Sequence, residues 1–229
     1  MRKLWFIVTC VAALAIPSQA SASQLIYQQM GQHDIVTVQG VGSFYAGEID
    51  WLWDSPPAGF GAAVTTYCVD VFRDLVSPQD TVVGTTAEMT TSAQDGGGKV
   101  AWLLNTFAPL VSSGVQAAAL QVAIWESLYD NDHNLATGVF RLVTDSTAYT
   151  GATKAQSIAN QATYYLNQLY SLPNGGYYTS TATWLHAVAP SGGQDQITTP
   201  EPSSLLLLGM GGLLAKAYRR RRVGYAEVA

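Results

Sequence analysis

The sequence predicts an α+β domain, in which an antiparallel β-sheet or barrel carries a helical insertion of about three helices. Two observations lead to this prediction: strand-forming runs precede three helical segments, and one further strand follows them. Strands that are followed by helices along the chain are typical of α+β folds. With 48% hydrophobic and 12% charged residues, the chain of 229 residues can bury a sizeable core.

The strand-forming part extends from residue 24 to residue 89. Residues 24–53 alternate and are rich in β-forming side chains, and the glycines between their runs predict hairpin turns or bulges. A loop is expected at Pro56-Pro57-Ala58-Gly59. Two more strands are predicted beyond it, at residues 62–71 and 81–89.

The helical part follows Asp95-Gly96-Gly97-Gly98, which we expect to break the chain. Apolar periodicity predicts three helices, at residues 99–107, 115–129 and 153–170. A closing strand is expected at residues 177–188. We therefore place one domain at residues 23–189.

The N-terminus is typical of a secretory signal peptide that ends at about residue 22. Arg2 and Lys3 precede an apolar run at residues 4–16, and small residues around Ala20 form the expected cleavage site. The apolar run is short for a membrane-spanning helix. We therefore expect the protein to be exported.

The C-terminal part begins with a predicted polar linker at residues 190–199. An apolar run follows at residues 205–217, and the charged and proline residues on its two sides are Pro200, Glu201, Pro202, Arg219, Arg220, Arg221 and Arg222. From the residues alone, a hydrophobic segment that is stopped by arginines predicts a C-terminal membrane anchor with the arginines in the cytoplasm.

The order Pro-Glu-Pro, apolar run and arginine cluster resembles the PEP-CTERM sorting signal of Gram-negative bacteria. The resemblance covers residues 199–222, with the predicted sorting segment at residues 200–222, and leaves a short tail at residues 223–229. It implies that a membrane protease called exosortase recognises the segment and removes it. It also implies an exported protein of the cell surface or the biofilm matrix, which is transiently anchored in the inner membrane by a transmembrane helix.

The distribution of charge argues against nucleic acid as a partner. The formal net charge is -5, and the basic residues are concentrated at the two ends of the chain, as Arg2, Lys3 and the four arginines 219–222. The middle of the chain is therefore more acidic than the total suggests. The sequence has no glycine-rich phosphate loop and no paired cysteines or clustered histidines for a metal, so no cofactor is predicted.

The second predicted helix carries one polar residue in the middle of its apolar face. That face consists of Ala117, Ala118, Ile124, Trp125 and Leu128, and the opposite face of Gln116, Glu126, Ser127 and Asp130. Gln121 lies on the apolar face, one turn before Trp125. Since an unpaired buried carboxamide costs about 1–3 kcal/mol, we expect Gln121 to have a partner.

Cys68 is the only cysteine outside the predicted signal peptide. A lone thiol in an exported protein cannot form an internal disulfide. Cys68 is therefore a small buried residue with a free thiol, a residue that forms a disulfide with another chain, or a residue with a chemical function. If its sulfur attacked the carboxamide of Gln121, ammonia would leave and an intramolecular thioester would form. That bond would account for both residues.

The sequences around both residues resemble the two signatures of bacterial Cys-Gln thioester domains, which occur at the tips of surface adhesins. These signatures are an aromatic-Cys-aliphatic motif on a strand, here at residues 67–69, and a Gln-x-x-aliphatic-Trp motif on a later helix, here at residues 121–125. The resemblance implies a β-fold with a helical insertion and a thioester cross-link between Cys68 and Gln121, with Trp125 packed beside the bond to exclude water.

The same resemblance implies single-use covalent binding, and therefore a protein that is not an enzyme. A nucleophile on the partner, either a lysine amine or a carbohydrate hydroxyl, would attack the acyl carbon of Gln121. The Cys68 thiolate would leave, because it is a better leaving group than an alkoxide or an amide. The product would be a stable amide or ester to a target at the cell surface.

A cysteine hydrolase is the first alternative. In this hypothesis Cys68 pairs with His133 or His186, and Asp70 or Asp132 orients the histidine. The polar surroundings of His133 favour a solvated turn instead.

A passive matrix protein is the second alternative. Aromatic side chains would stack on exopolysaccharide in that case, with Trp51, Trp53, Tyr177 and Tyr178 as candidates. The run Asp130-Asn131-Asp132 also suggests calcium binding, but it lacks the glycine and the distal glutamate of a recognised calcium loop.

Overall fold

The computed structural model describes residues 22–144, 151–173, 177 and 179–199. In these residues six strands and three helices follow one another in the order β1 (Ser23–Val38), β2 (Gly42–Trp53), β3 (Ala63–Cys68), β4 (Gln79–Thr85), α1 (Gly96–Phe107), α2 (Gly114–Tyr129), α3 (Ala152–Tyr170), β5 (Thr183–Ala187) and β6 (Gln196–Thr198). The three helices are inserted between β4 and β5. The predicted α+β fold is therefore confirmed.

The six strands form one antiparallel sheet that closes on itself in the order β1-β2-β3-β6-β5-β4. β1 closes the ring because it pairs with β2 along most of its length and with β4 at its N-terminal end. β6 lies between β3 and β5. The chain therefore needs its last strand to complete the barrel.

The position of β6 differs from the polar linker that we predicted at residues 190–199. All three residues of β6 are buried. Gln196 fits inside the barrel because its side-chain oxygen accepts a hydrogen bond from the Thr66 hydroxyl at 3.0 Å. Ile197 adds to the hydrophobic core. The folded domain thus extends to Thr198.

The first helix also starts earlier than predicted. The glycines after Asp95 do not break the chain, and α1 begins at Gly96. A Cβ atom on Gly97 would collide with the carbonyl oxygen of Thr86, so the glycine allows the first turn of α1 to pack against the backbone that follows β4.

The central helix α2 is buried on all sides rather than on one face. Every residue from Ala117 to Leu128 is buried, including Glu126 and Ser127, which we predicted on a separate polar face. The reason is its position, since α2 packs against β1 and β2 on one side and against α1 and α3 on the others. A helix that is covered all round has no solvent face to carry polar residues.

A gap opens between β2 and β3 near the end of β3. The β2–β3 pairing ends at Ile49 and Thr66, and beyond it β3 continues to pair with β6. β2 bends there, because the β1–β2 register shifts between Met30 and His33 and Gly47 adopts a φ of +137°. The backbone of Cys68 therefore faces this gap instead of a neighbouring strand.

The bend at Gly47 can be tested by substitution. A Cβ atom there would meet the carbonyl oxygen of Gln32 and also suffer the strain of a positive φ. We expect Gly47→Ala to lower the free energy of unfolding by about 2–5 kcal/mol, as measured by urea denaturation. Gly40→Ala is the matched control, because Gly40 has a φ of +81° but open space around its Cα. The control should lose only about 1–2 kcal/mol, and an equal loss in both variants would contradict this account.

Candidate functional site

The carboxamide of Gln121 fills the gap beside Cys68. The Cys68 N–H donates a hydrogen bond to Oε1 of Gln121 at 3.0 Å, and Nε2 of Gln121 donates to the Cys68 carbonyl oxygen at 2.6 Å. Only 1% of the Gln121 surface is exposed. The side chain from α2 thus makes the two hydrogen bonds that a neighbouring strand would otherwise make to this residue.

The sulfur of Cys68 is buried, and most of its surroundings disfavour the negative charge of a thiolate. Burial raises the pKa of the Cys68 thiol to about 12, and the carboxylates of Asp70 and Asp195 contribute in the same direction. The backbone N–H of Asp70 opposes them, because it donates to the sulfur at 3.2 Å. The thiol is therefore protonated near neutral pH, which limits its reaction with oxidants.

The site opens onto a cavity of about 490 Å³ between β2 and the segment after β3. Cys68, Gln121 and Trp125 all line this cavity. Its lining also includes two exposed aromatic side chains, Tyr45 and Phe72. The cavity therefore leads from these exposed aromatic side chains to the buried side chains of Cys68 and Gln121.

Trp125 forms the part of the cavity wall next to Gln121. It follows Gln121 by one helical turn, is 2% exposed and packs edge-on against Phe44. Its indole N–H is buried and makes no hydrogen bond with the described residues. A buried donor without a partner costs about 1–3 kcal/mol, so the absence of a hydrogen bond to this N–H needs an explanation.

A second buried glutamine lies next to Cys68, and sequence reasoning missed it. Gln196 of β6 is directly opposite Cys68 in the β3–β6 register, so the two side chains are on the same face of the sheet. We had placed Gln196 in a linker because glycine and polar residues precede it. Only the closure of the barrel brings it to Cys68.

The histidines of the hydrolase alternative lie elsewhere. His133 is exposed and stacks on Tyr170, and His186 is exposed with its Nδ1 at 3.0 Å from a carboxylate oxygen of Asp195. In the part of the chain that the structure describes, no histidine lines the cavity at Cys68. The structure therefore does not bring the predicted nucleophile pair together.

The acids of that alternative are engaged in local contacts. Asp70 forms an ion pair with Arg73 at 2.9 Å. Asp132 accepts hydrogen bonds within its own loop, from the N–H of Asn134 and the hydroxyl of Thr137. Neither carboxylate is placed to orient one of the two histidines.

The aromatic residues that we considered for sugar stacking are mostly unavailable. Trp51 is fully buried, with its indole N–H bound to Thr66, and Trp53 is 5% exposed. Tyr177 is half-buried, and Tyr178 lies outside the described residues. The two tryptophans are two residues apart in β2, so both side chains point to the same, core-facing side of the strand. They are therefore not available to stack on sugars, as the passive-matrix alternative requires.

The loop that suggested calcium has a structural role. Both carboxylate oxygens of Asp130 accept backbone hydrogen bonds, from Val139 at 2.9 Å and from Phe140 at 2.7 Å. Among the described residues, no group of three or more histidine, cysteine and acidic side chains is arranged to hold a metal ion. Asp130 stabilises the backbone at Val139 and Phe140, in the segment that follows α2.

Comparison with protein families concerns the C-terminal segment. Residues 198–222 match the PEP-CTERM protein-sorting motif. The match supports the predicted sorting signal and indicates an exported protein that exosortase recognises and that is transiently anchored before processing. The signal residues from Pro200 to Arg222 lie outside the described part of the chain.

Comparisons with curated proteins and with solved structures find no match to this chain. The thioester resemblance gains no support from these comparisons. Within residues 22–144, 151–173, 177 and 179–199, no helix combines the length and the hydropathy that crossing a membrane requires.

The buried Glu126 predicts how stability depends on pH. Burial, together with the negative charges of Asp130 and Asp132, raises the pKa of Glu126 to about 8, above its ordinary value of 4.5. Stability from the protonated side chain is fully present below pH 4.5 and is lost as the pH rises to about 8. We expect Glu126→Gln to reduce this loss by at least about 1–2 kcal/mol, as measured by urea denaturation at pH 5 and pH 8. An equal loss in the wild type and the variant would contradict this account.

Proposed function

We propose that this protein binds a target covalently and only once, through an internal thioester between Cys68 and Gln121. One observation carries the proposal: two hydrogen bonds hold the Gln121 carboxamide on the Cys68 backbone, at an open cavity. The carboxamide is bound to the backbone of the residue that carries the thiol, and both residues line the same cavity. Loss of ammonia would then join the two side chains.

This geometry supports formation of the proposed bond. The Cys68 N–H donates to the carbonyl oxygen of Gln121, and it would stabilise the negative charge that this oxygen gains when the sulfur attacks the carbon. The new bond joins Sγ to Cδ, and the bond from Cδ to Nε2 breaks. The thiol proton leaves with the nitrogen as part of ammonia.

Capture of a target would be a second attack on the same carbon, with the Cys68 sulfur as the leaving group. A lysine amine or a carbohydrate hydroxyl would enter through the cavity and bond to Cδ of Gln121, and the carbon–sulfur bond would break. The proton of the nucleophile ends on the sulfur. The bond is consumed in this step, so the protein acts as a covalent binder without turnover.

The chain itself offers few amines that could react with such a bond. Between residues 23 and 199 the only lysines are Lys99 and Lys154. Lys99 is 3% exposed, and the ammonium group of Lys154 lies 3.1 Å from a carboxylate oxygen of Asp34. The same region carries four basic and fourteen acidic residues, which would attract a cationic amine on another molecule.

The sorting signal supports a location outside the cytoplasm for this chemistry. An exported protein that exosortase processes would present the cavity at the cell surface or in the extracellular matrix. A covalent link formed there would resist dissociation, which suits adhesion or the cross-linking of a biofilm.

A passive matrix protein is the second candidate, and the same contacts favour it. The two hydrogen bonds to Cys68 already satisfy the buried carboxamide of Gln121, so the site is stable without a covalent bond. In that case Gln121 serves only to complete the end of β3.

The intact mass of the purified mature protein distinguishes the two candidates. If the thioester forms, the mass is lower than the sequence requires by one ammonia. Cys68→Ala and Gln121→Glu should each abolish this deficit, because one lacks the nucleophile and the other lacks the leaving nitrogen. Methylamine should convert the wild type to a stable adduct and release one titratable thiol.

Gln196→Met is the matched control for this experiment, since Gln196 is the other buried glutamine beside Cys68. The variant should keep the mass deficit. Loss of the deficit in Gln196→Met alone would make Gln196 the acyl donor. A wild type of full mass with a free thiol would leave the passive candidate ahead.

The sorting signal is tested separately. In a host without exosortase, the protein should keep the segment at residues 200–222, because no other step is expected to remove it. Mass spectrometry of the C-terminal peptide from both hosts measures this. Removal of the segment in both hosts would contradict exosortase processing.

A further inference from the structure

One N–H group donates to the sulfur of Cys68, and a second lies in the wall of the cavity that Cys68 lines. The backbone N–H of Asp70 donates to the sulfur at 3.2 Å. It reaches the sulfur because the chain turns directly after β3, where the N–H of Arg73 bonds to the carbonyl of Asp70. The position of the Asp70 donor is therefore set by backbone structure.

The second group is the indole N–H of Trp125. It is buried and makes no hydrogen bond with the described residues, although most buried donors in proteins are paired. Trp125 lines the same cavity as Cys68 and Gln121. Although the indole makes no hydrogen bond to the sulfur in this structure, it lowers the pKa of the Cys68 thiol together with the Asp70 N–H, against the effect of burial.

Opening of a thioester places negative charge on the departing sulfur. At Cys68 that charge would develop in a buried site, with the carboxylates of Asp70 and Asp195 nearby. Such surroundings oppose the departure of a thiolate. Donors that point at the sulfur before the reaction would offset this opposition.

We propose that the N–H groups of Asp70 and Trp125 form a donor pair that stabilises the Cys68 thiolate when the bond to Gln121 opens. This inference rests on the proposed function. As an amine nitrogen bonds to Cδ of Gln121, the carbon–sulfur electron pair moves to Sγ, and the two N–H groups donate hydrogen bonds to the negative sulfur. The sulfur then takes up the proton that the amine loses. Trp125 thereby assists the opening of the bond, in addition to excluding water.

The test replaces Trp125 by phenylalanine, which keeps an aromatic ring and removes the N–H. In Trp125→Phe, the rate at which methylamine opens the bond should fall by about 10- to 100-fold. A residue that only excludes water would leave the rate unchanged or increase it. An unchanged or faster rate would therefore overturn the proposal.

Trp53→Phe is the matched control. Trp53 is also buried, and its indole N–H also makes no hydrogen bond with the described residues. It does not line the cavity at Cys68. In the control, methylamine should open the thioester at the wild-type rate. If this rate falls as much as in Trp125→Phe, the effect comes from a general loss of packing.

A second measurement separates this inference from the proposed function. At a fixed pH, the rate of alkylation of Cys68 by iodoacetamide follows the fraction of thiolate. Methylamine-treated protein is used if the thioester forms, and untreated protein if it does not. Trp125→Phe should react several-fold more slowly than Trp53→Phe, even though the smaller ring widens access. Equal rates would overturn the donor pair, whereas a wild type of full mass would overturn only the thioester.

If Trp125→Phe does not fold, replacement of Trp125 by 3-benzothienylalanine gives the same test. That residue keeps the shape of tryptophan and has sulfur in place of the N–H. We expect the same decrease in the rate of opening by methylamine and in the rate of alkylation by iodoacetamide. If the protein with 3-benzothienylalanine shows wild-type values for both rates, the proposal is overturned.

Discussion

The site depends on one interaction, the pairing of the Gln121 carboxamide with the backbone of Cys68. A peptide group inside a protein must have its N–H and its carbonyl satisfied, and β2 turns away before it can reach Cys68. The glutamine side chain has one acceptor and one donor at a spacing similar to that of a peptide group, so it completes the ladder. Hydrophobic side chains of the same size could not do this.

Several features of the fold serve this pairing. The bend of β2 at Gly47 opens the gap, and the burial of α2 on all sides holds the glutamine in it. β6 closes the other edge of β3, which leaves the gap as the place where the Cys68 backbone needs a partner. The candidate chemistry therefore arises from the way in which a helix completes an interrupted sheet.

The electrostatics of the site suit a bond that is stable until a target arrives. Burial and two nearby carboxylates raise the pKa of the Cys68 thiol to about 12, so its thiolate is a poor leaving group without help. Water and weak nucleophiles would then open a thioester slowly. In the proposed donor pair, the N–H groups of Asp70 and Trp125 would offset this effect only at the sulfur, where the charge develops.

Much of the fold could be predicted from the sequence, because it depends on local periodicity. The predicted ranges of the three helices agree with the structure to within a few residues, and most strands were recognised from alternating β-forming residues. The strand β6 was missed because it has three residues and follows a glycine-rich polar segment. Local composition cannot indicate that such a segment completes a barrel 130 residues away from its hydrogen-bond partner Thr66.

The sequence by itself determined that the helix around Gln121 has a buried apolar face, that Cys68 is the lone thiol of the domain and that the C-terminus carries a sorting signal. Only the tertiary structure decided what lies beside the thiol. The bend of β2, the full burial of α2 and the position of Gln196 all depend on contacts between residues that are distant in the chain. Periodicity shows which face of an element is buried, but the identity of its neighbours is set by how the elements pack.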